Sequence, residues 1–243
     1  MIRPLALLLL SLAAPAERQY SVGSFDRLRV DGPFRVVLTT GRSPRATAEG
    51  DPRVTDTIDI RVEGSTLVVR AGLSGWGEQA MPGRGAAPPL IRLSTGMIRS
   101  ASLIGGGDVT INGALKGQRI DVMLTGSGSL QARAVDADQL VASAIGAGRL
   151  TLGGRAAKVR LSTNGTVELQ AGALIAGDLR VRTDGNGTLV AQARYTAEIF
   201  PAGVGAITVY GKPACTIRGV PAGRVSCGEM MPPASQLEQR QRR

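Results

Sequence analysis

A glycine-centred phrase returns six times in this chain, and its spacing limits the fold more than any other feature. The last glycines of the six phrases are Gly107, Gly128, Gly148, Gly165, Gly187 and Gly205, at steps of 21, 20, 17, 22 and 18 residues. A recurrence near 20 residues is the mark of a repeat architecture, in which each unit buries its apolar face against its neighbours.

The columns around these anchors read as strands. Two residues after the anchor stand Val109, Leu130, Leu150, Val167, Leu189 and Ile207; four after it stand Ile111, Ala132, Leu152, Leu169, Ala191 and Val209. This alternation puts one set of side chains on one face of a strand. A second strand precedes the anchor. Its inward residues are Ala101, Val122, Ala142, Val159, Val181 and Ile199 at six before, and Leu103, Leu124, Ala144, Leu161, Thr183 and Pro201 at four before. Two before the anchor stands glycine, except at Thr163. Each unit is therefore strand, glycine corner, strand and return. Such a unit is too small to be stable alone, so like strands stack in register, ~4.8 Å apart. The predicted fold is an all-β parallel solenoid with turns of about 20 residues over 99–211. An antiparallel meander is the rival, and Asn164-Gly165 and Asp184-Gly185 suit its hairpins locally; the constant column alignment favours stacking.

Composition agrees with a narrow core. The chain is 43% hydrophobic but has only 3 Phe, 3 Tyr and 1 Trp, so Val, Leu, Ile and Ala must fill the interior. Residues 17–98 carry a looser pattern, with strands read at 25–30, 34–39, 58–62, 66–70 and 90–93. They are expected to be the first, irregular turns of the same domain, or else a small β cap. Residues 71–89 are rich in Gly and Pro and contain Trp76, which suits a long surface loop.

Residues 1–16 read as a signal peptide: Arg3, an apolar run at 5–14 and the cleavage-type sequence Ala14-Pro15-Ala16. The run is too short to span a bilayer, and the mature part has no transmembrane segment. In an exported chain Cys215 and Cys227 are expected to form a disulfide closing a C-terminal cap at 212–228. Residues 229–243, with Pro232-Pro233 and a basic end, read as a disordered tail. Removing Arg3 takes the net charge from +10 to +9. A basic exported protein could meet anionic polysaccharide, lipid headgroups or nucleic acid; the partner expected here is an anionic polysaccharide or an envelope protein, with no nucleic acid. The bland alternative is an Arg-biased soluble surface.

The order of Phe25-Asp26-Arg27-Leu28-Arg29-Val30, Val36-Val37-Leu38, Glu49-Gly50-Asp51 and Leu67-Val68-Val69 resembles the opening of the putative autotransporter adhesin family with the head GIN domain. The later turns, such as Thr125-Gly126-Ser127-Gly128, resemble its repeated signature, and the likeness covers roughly residues 25–211. It implies a right-handed parallel β-helix at the envelope of a Gram-negative-type bacterium, in the periplasm or on the surface, with an adhesin-like role. It brings no catalytic residue, and Thr163 departs from the glycine usual at that corner.

The chain has no His, which excludes His-dependent triads and His-ligated metals. No metal or cofactor is expected; Gly105-Gly106-Gly107-Asp108 resembles a calcium repeat only once. A polysaccharide-active enzyme is the runner-up, since some β-helices carry paired carboxylates. The outward positions, seven and five before each anchor, hold only Asp121 and Glu198 as acids. Three turns, ~14 Å, separate the two, too far for a glycosidase pair. The same positions hold Lys158, Arg160, Arg180 and Arg182, a cationic cluster suited to sulfate, phosphate or uronate. A solvated face is its plain alternative, and Trp76 is the candidate sugar-stacking residue, with covering a core end as its plain alternative. The third reading is a purely structural envelope module.

Overall fold

The computed structural model describes residues 17–72 and 88–230. The expected signal peptide, Trp76 with most of its loop, and residues 231–243 lie outside the described residues.

In chain order the elements are β1 (Glu17–Tyr20), β2 (Arg27–Asp31), β3 (Arg35–Thr40), β4 (Arg45–Glu49), a single helical turn α1 (Pro52–Thr55), β5 (Ile58–Glu63) and β6 (Thr66–Ala71). There follow β7 (Leu90–Thr95), β8 (Ser100–Gly105), β9 (Asp108–Asn112), β10 (Leu115–Gly126), β11 (Ser129–Gly146), β12 (Arg149–Gly165), β13 (Glu168–Gly185) and β14 (Thr188–Pro201). The last are β15 (Ala206–Gly211), β16 (Ala214–Ile217) and β17 (Val225–Glu229).

Stacked parallel strands make a solenoid, as the repeat predicts. Its first face stacks β6, β2, β8, the later halves of β10 to β14, and β16. Its second stacks β7, β3, β9, the opening residues of β11 to β14, β15 and β17. Between them, β10 to β14 bend round a shorter third face through register shifts near Val135, Gly153 and Ile175. Inward side chains form ladders such as Ile120, Leu140, Val159, Leu179 and Ala197, each at most 2% exposed.

The stacking order departs from chain order at the N-terminal end. The rung of β2 and β3 lies between that of β6 and β7 and that of β8 and β9. The chain begins one rung inside, runs out to the end, then returns past its start. Antiparallel strands close that end: β5 on β6, β4 on β7, and β1 on β4. Charged Asp59, Arg61 and Glu63 on β5 make a poor template for further pairing.

The glycine corner has two different causes. Gly105, Gly126, Gly146, Gly165 and Gly185 all have φ between 100° and 118°, a conformation that side chains resist. The anchor two residues later is set by packing instead. A Cβ on Gly148 would lie 2.5 Å from the Gly128 carbonyl oxygen and 2.9 Å from Leu124 Cδ2 of the rung before.

This distinction corrects the register of the fourth repeat. Gly165 pairs with Gly146 and Gly185, so it is the corner residue and Val167 is the anchor. Val167 is buried. Its preceding rung offers Ala144 where Gly128 and Gly148 meet Leu103 and Leu124. A small residue above leaves room for a larger anchor below. The true steps are then 21, 20, 19, 20 and 18. Thr163 becomes an inward ladder residue, 8% exposed, not a substitute for a corner glycine.

Two further rungs obey the pattern. In β2 and β3, Leu28, Val30, Gly32, Phe34, Val36 and Leu38 occupy the columns, with buried Phe34 as anchor. In β16 and β17, Ile217, Gly223, Val225 and Cys227 occupy them. Cys215 ends the ladder below Ala197, and Cys227 the ladder below Val209. Their disulfide therefore ties the two long faces together at the last rung.

Candidate functional site

The first face presents its outward side chains in two ladders. One runs Ser100, Asp121, Val141, Arg160, Arg180, Glu198 and Thr216; the other runs Ser102, Met123, Ser143, Ser162, Arg182 and Phe200. Alternation along each strand puts these groups outside because their neighbours, such as Ala142, Leu161 and Val181, fill the core.

Short Val141, Ser143 and Ser162 lie beside long Arg160, Arg180, Arg182 and Phe200. The difference in side-chain length leaves a groove of about 470 Å³ lined by these residues. Arg180 is neutralised in place: it bonds to Glu198 at 3.1 Å and lies 5.1 Å from the centre of the Phe200 ring. Glu198 also accepts from Arg218 at 2.7 Å. None of the ion pairs among the described residues involves Arg160 or Arg182. The groove thus holds two unmatched guanidinium groups and one that is held still by an acid and an aromatic ring.

The structure brings three of the four expected cationic residues together. Arg160, Arg180 and Arg182 line one groove, but Lys158 does not. The corrected register puts Lys158 beside Gln139 and Asp178, near the bend to the third face. The carboxylates are four rungs apart, ~19 Å, not three, because Asp121 belongs to the rung of Gly128 and Glu198 to that of Gly205. Asp121 is bonded to Arg119 at 2.9 Å. The ladder neighbours of Asp121 are Ser100 and Val141, and those of Glu198 are Arg180 and Thr216, so neither acid stands beside a second carboxylate in its ladder as a glycosidase pair would. Among the described residues no cluster of carboxylates or cysteines is arranged to hold a metal.

Phe200, Val141 and Met123 escape a reading for site residues by charge alone. Their signal is present in the sequence: each is apolar at an outward position, where polar residues are the rule for a strand facing water.

A second depression follows the glycine corner, lined by Asp108, Ser129, Arg149 and Glu168 among others. Its charges are satisfied internally, with Ser129 donating to Asp108 at 2.7 Å and Arg149 paired to Glu168 at 2.7 Å.

Comparison with known proteins supports the fold and the family. Residues 24–213 match the family model described as putative auto-transporter adhesin, head GIN domain. No curated protein matches the chain. Among solved structures, a putative adhesin from Bacteroides fragilis superposes with a TM-score of 0.78 at 21% identity, covering 88% of this chain and 97% of its own. A putative adhesin from Parabacteroides merdae gives 0.70 at 15%, covering 90% and 98%. A protein from Parabacteroides distasonis titled putative lipid binding protein gives 0.68 at 17%, covering 90% and 98%. At these identities the likeness is one of fold.

Proposed function

The chain belongs to the putative auto-transporter adhesin, head GIN domain family, and on that premise we propose that it is a non-enzymatic binding module of the cell envelope. The solenoid is the support, and the groove on its first face is the binding site. It holds an anionic group displayed by a surface component, with Arg160 and Arg182 as ligating residues and Arg180 as the fixed wall between them.

The observation that carries this reading is that two acid-free arginines share one groove; Arg35, Arg42, Arg45, Arg194 and Arg224 also lack an acid, but none of them lines it. Arg149 and Arg155 each bond to an acid on a neighbouring rung. Arg160 and Arg182 stand together in a groove with no such partner. Guanidinium forks are suited to phosphate, sulfate and carboxylate oxygens, and adjacent like charges gain from a shared counter-anion.

The test is retention on a sulfated polysaccharide column. Arg160→Gln/Arg182→Gln is expected to elute at clearly lower salt than the unaltered protein. Arg149→Gln/Arg155→Gln, which removes the same formal charge elsewhere, is expected to shift less. Equal shifts for the two variants would mean that net charge alone sets retention, and the proposed site would fail.

A further inference from the structure

The groove is more apolar than a site for a purely ionic ligand needs to be. Val141, Phe200 and the aliphatic stems of the arginines supply much of its lining, and the polar groups are the guanidiniums with Ser143 and Ser162. The carbon surface continues beyond it. Met123, beside Ser143, is 42% exposed, and Ile145, two residues along the same strand, is 45% exposed. A hydrated polyanion gains little from this floor. An exposed apolar patch bordered by charge is instead the pattern of a surface that takes a molecule with both characters.

Resting on the binding reading above, we propose that the groove takes an anionic amphiphile, with a phosphate at the arginine end and an aliphatic chain along the floor. Arg160 and Arg182 are one rung and two residues apart, roughly 8 Å between their backbones from strand spacings. Both side chains are long enough to converge on one phosphate from two sides. Arg180, held by Glu198 and Phe200, keeps the groove open between them. The chain then runs over Val141 toward Met123 and Ile145. Charge complementarity selects the phosphate end, and the carbon floor selects an alkyl chain over a free phosphate.

The experiment is calorimetric titration of the full chain with dodecyl phosphate below its micelle concentration, alongside inorganic phosphate and dodecyl maltoside. Dodecyl phosphate is expected to bind at least about tenfold more tightly than either, because only it uses both halves of the site. Arg160→Gln/Arg182→Gln is expected to lower that affinity by about tenfold or more. Met123→Ser/Ile145→Ser, both exposed and outside the lining of the arginine groove, is expected to weaken dodecyl phosphate while leaving polysaccharide retention unchanged. Equal affinity for dodecyl phosphate and inorganic phosphate would overturn the amphiphile, and the arginine groove would stand as a plain anion site. Equal affinity for dodecyl phosphate and dodecyl maltoside would overturn the phosphate contact itself. Loss of arginine-dependent polysaccharide retention as well would remove the binding reading beneath both.

Discussion

Four glycine-to-alanine substitutions separate the two physical causes of the corner. A Cβ added at Gly96 would meet no atom within 4 Å, and the backbone there is not left-handed, so Gly96→Ala is expected to change stability by less than about 0.5 kcal/mol. Gly64 has φ +62° but open space around it, so Gly64→Ala isolates backbone strain at about 1–2 kcal/mol. At Gly148, φ is not positive, but a Cβ would meet the Gly128 oxygen at 2.5 Å. Gly148→Ala isolates steric conflict at about 1–3 kcal/mol. Gly146 combines both, with φ +114° and a Cβ 2.5 Å from the Gly126 oxygen. Its alanine variant is expected to cost about 3–5 kcal/mol, a large share of the ~5–15 kcal/mol typical of a domain. Urea unfolding followed by circular dichroism measures the series through the midpoint, provided the slope stays constant. A Gly146→Ala cost no larger than that of Gly64→Ala would refute the close stacking of successive corners.

Three other outcomes follow from the packing and charges. Ala144→Leu should cost about 1–3 kcal/mol by crowding Val167, and Val167→Gly in the same chain should recover at least about 1 kcal/mol of it in a double-mutant cycle; additive costs would contradict the compensation between rungs. Reducing the Cys215–Cys227 disulfide should weaken the last rung by about 3 kcal/mol, so amide exchange should quicken across 214–229 well before it does across 139–161; uniform quickening would contradict a local staple. Side-chain hydrogen bonds from Arg99, Arg92 and Arg155 hold the Asp26, Glu49 and Asp136 carboxyls below their ordinary range. Because the folded values are the lower ones, this stability is complete above the unfolded values near ~4 and is lost as pH falls through the folded ones. The urea midpoint should therefore decline below about pH 4, and less steeply in Arg92→Ala.

The solenoid is legible in the sequence because its columns are imposed by strand alternation, which survives changes in residue identity. Val109, Leu130, Leu150, Leu189 and Ile207 are different aliphatic residues doing one job. The fourth register goes astray when glycines alone are followed, because glycine at the anchor is a packing choice. Only the corner glycine is demanded by the backbone, and Gly165 meets that demand with φ +100°. Even spacing favours Val167, which makes every step 18 to 21 residues. The rung at Gly223 is equally readable from Ile217, Val225 and Cys227 but lies hidden in a segment that the disulfide alone accounts for. The order of the first three rungs is not readable. Any of those strands pairs acceptably with any other, and the choice depends on the antiparallel β4 and β5 that close the end.

The groove is half legible for the same reason. Outward phase locates Arg160, Arg180 and Arg182, while a two-residue slip brings in Lys158 and obscures which arginines lack an acid. Phe200 and Glu198 acquire their roles only through the stacking of β13 on β14.

The most direct test of the central claim is to watch the arginine side chains themselves. In nuclear magnetic resonance spectra of the Nε–Hε groups, titration with dodecyl phosphate should move Arg160 and Arg182 together and saturably, while Arg149 and Arg155 stay in place. Small, unsaturated shifts spread over all the exposed arginines, or shifts centred on Arg149 and the glycine corner, would contradict it.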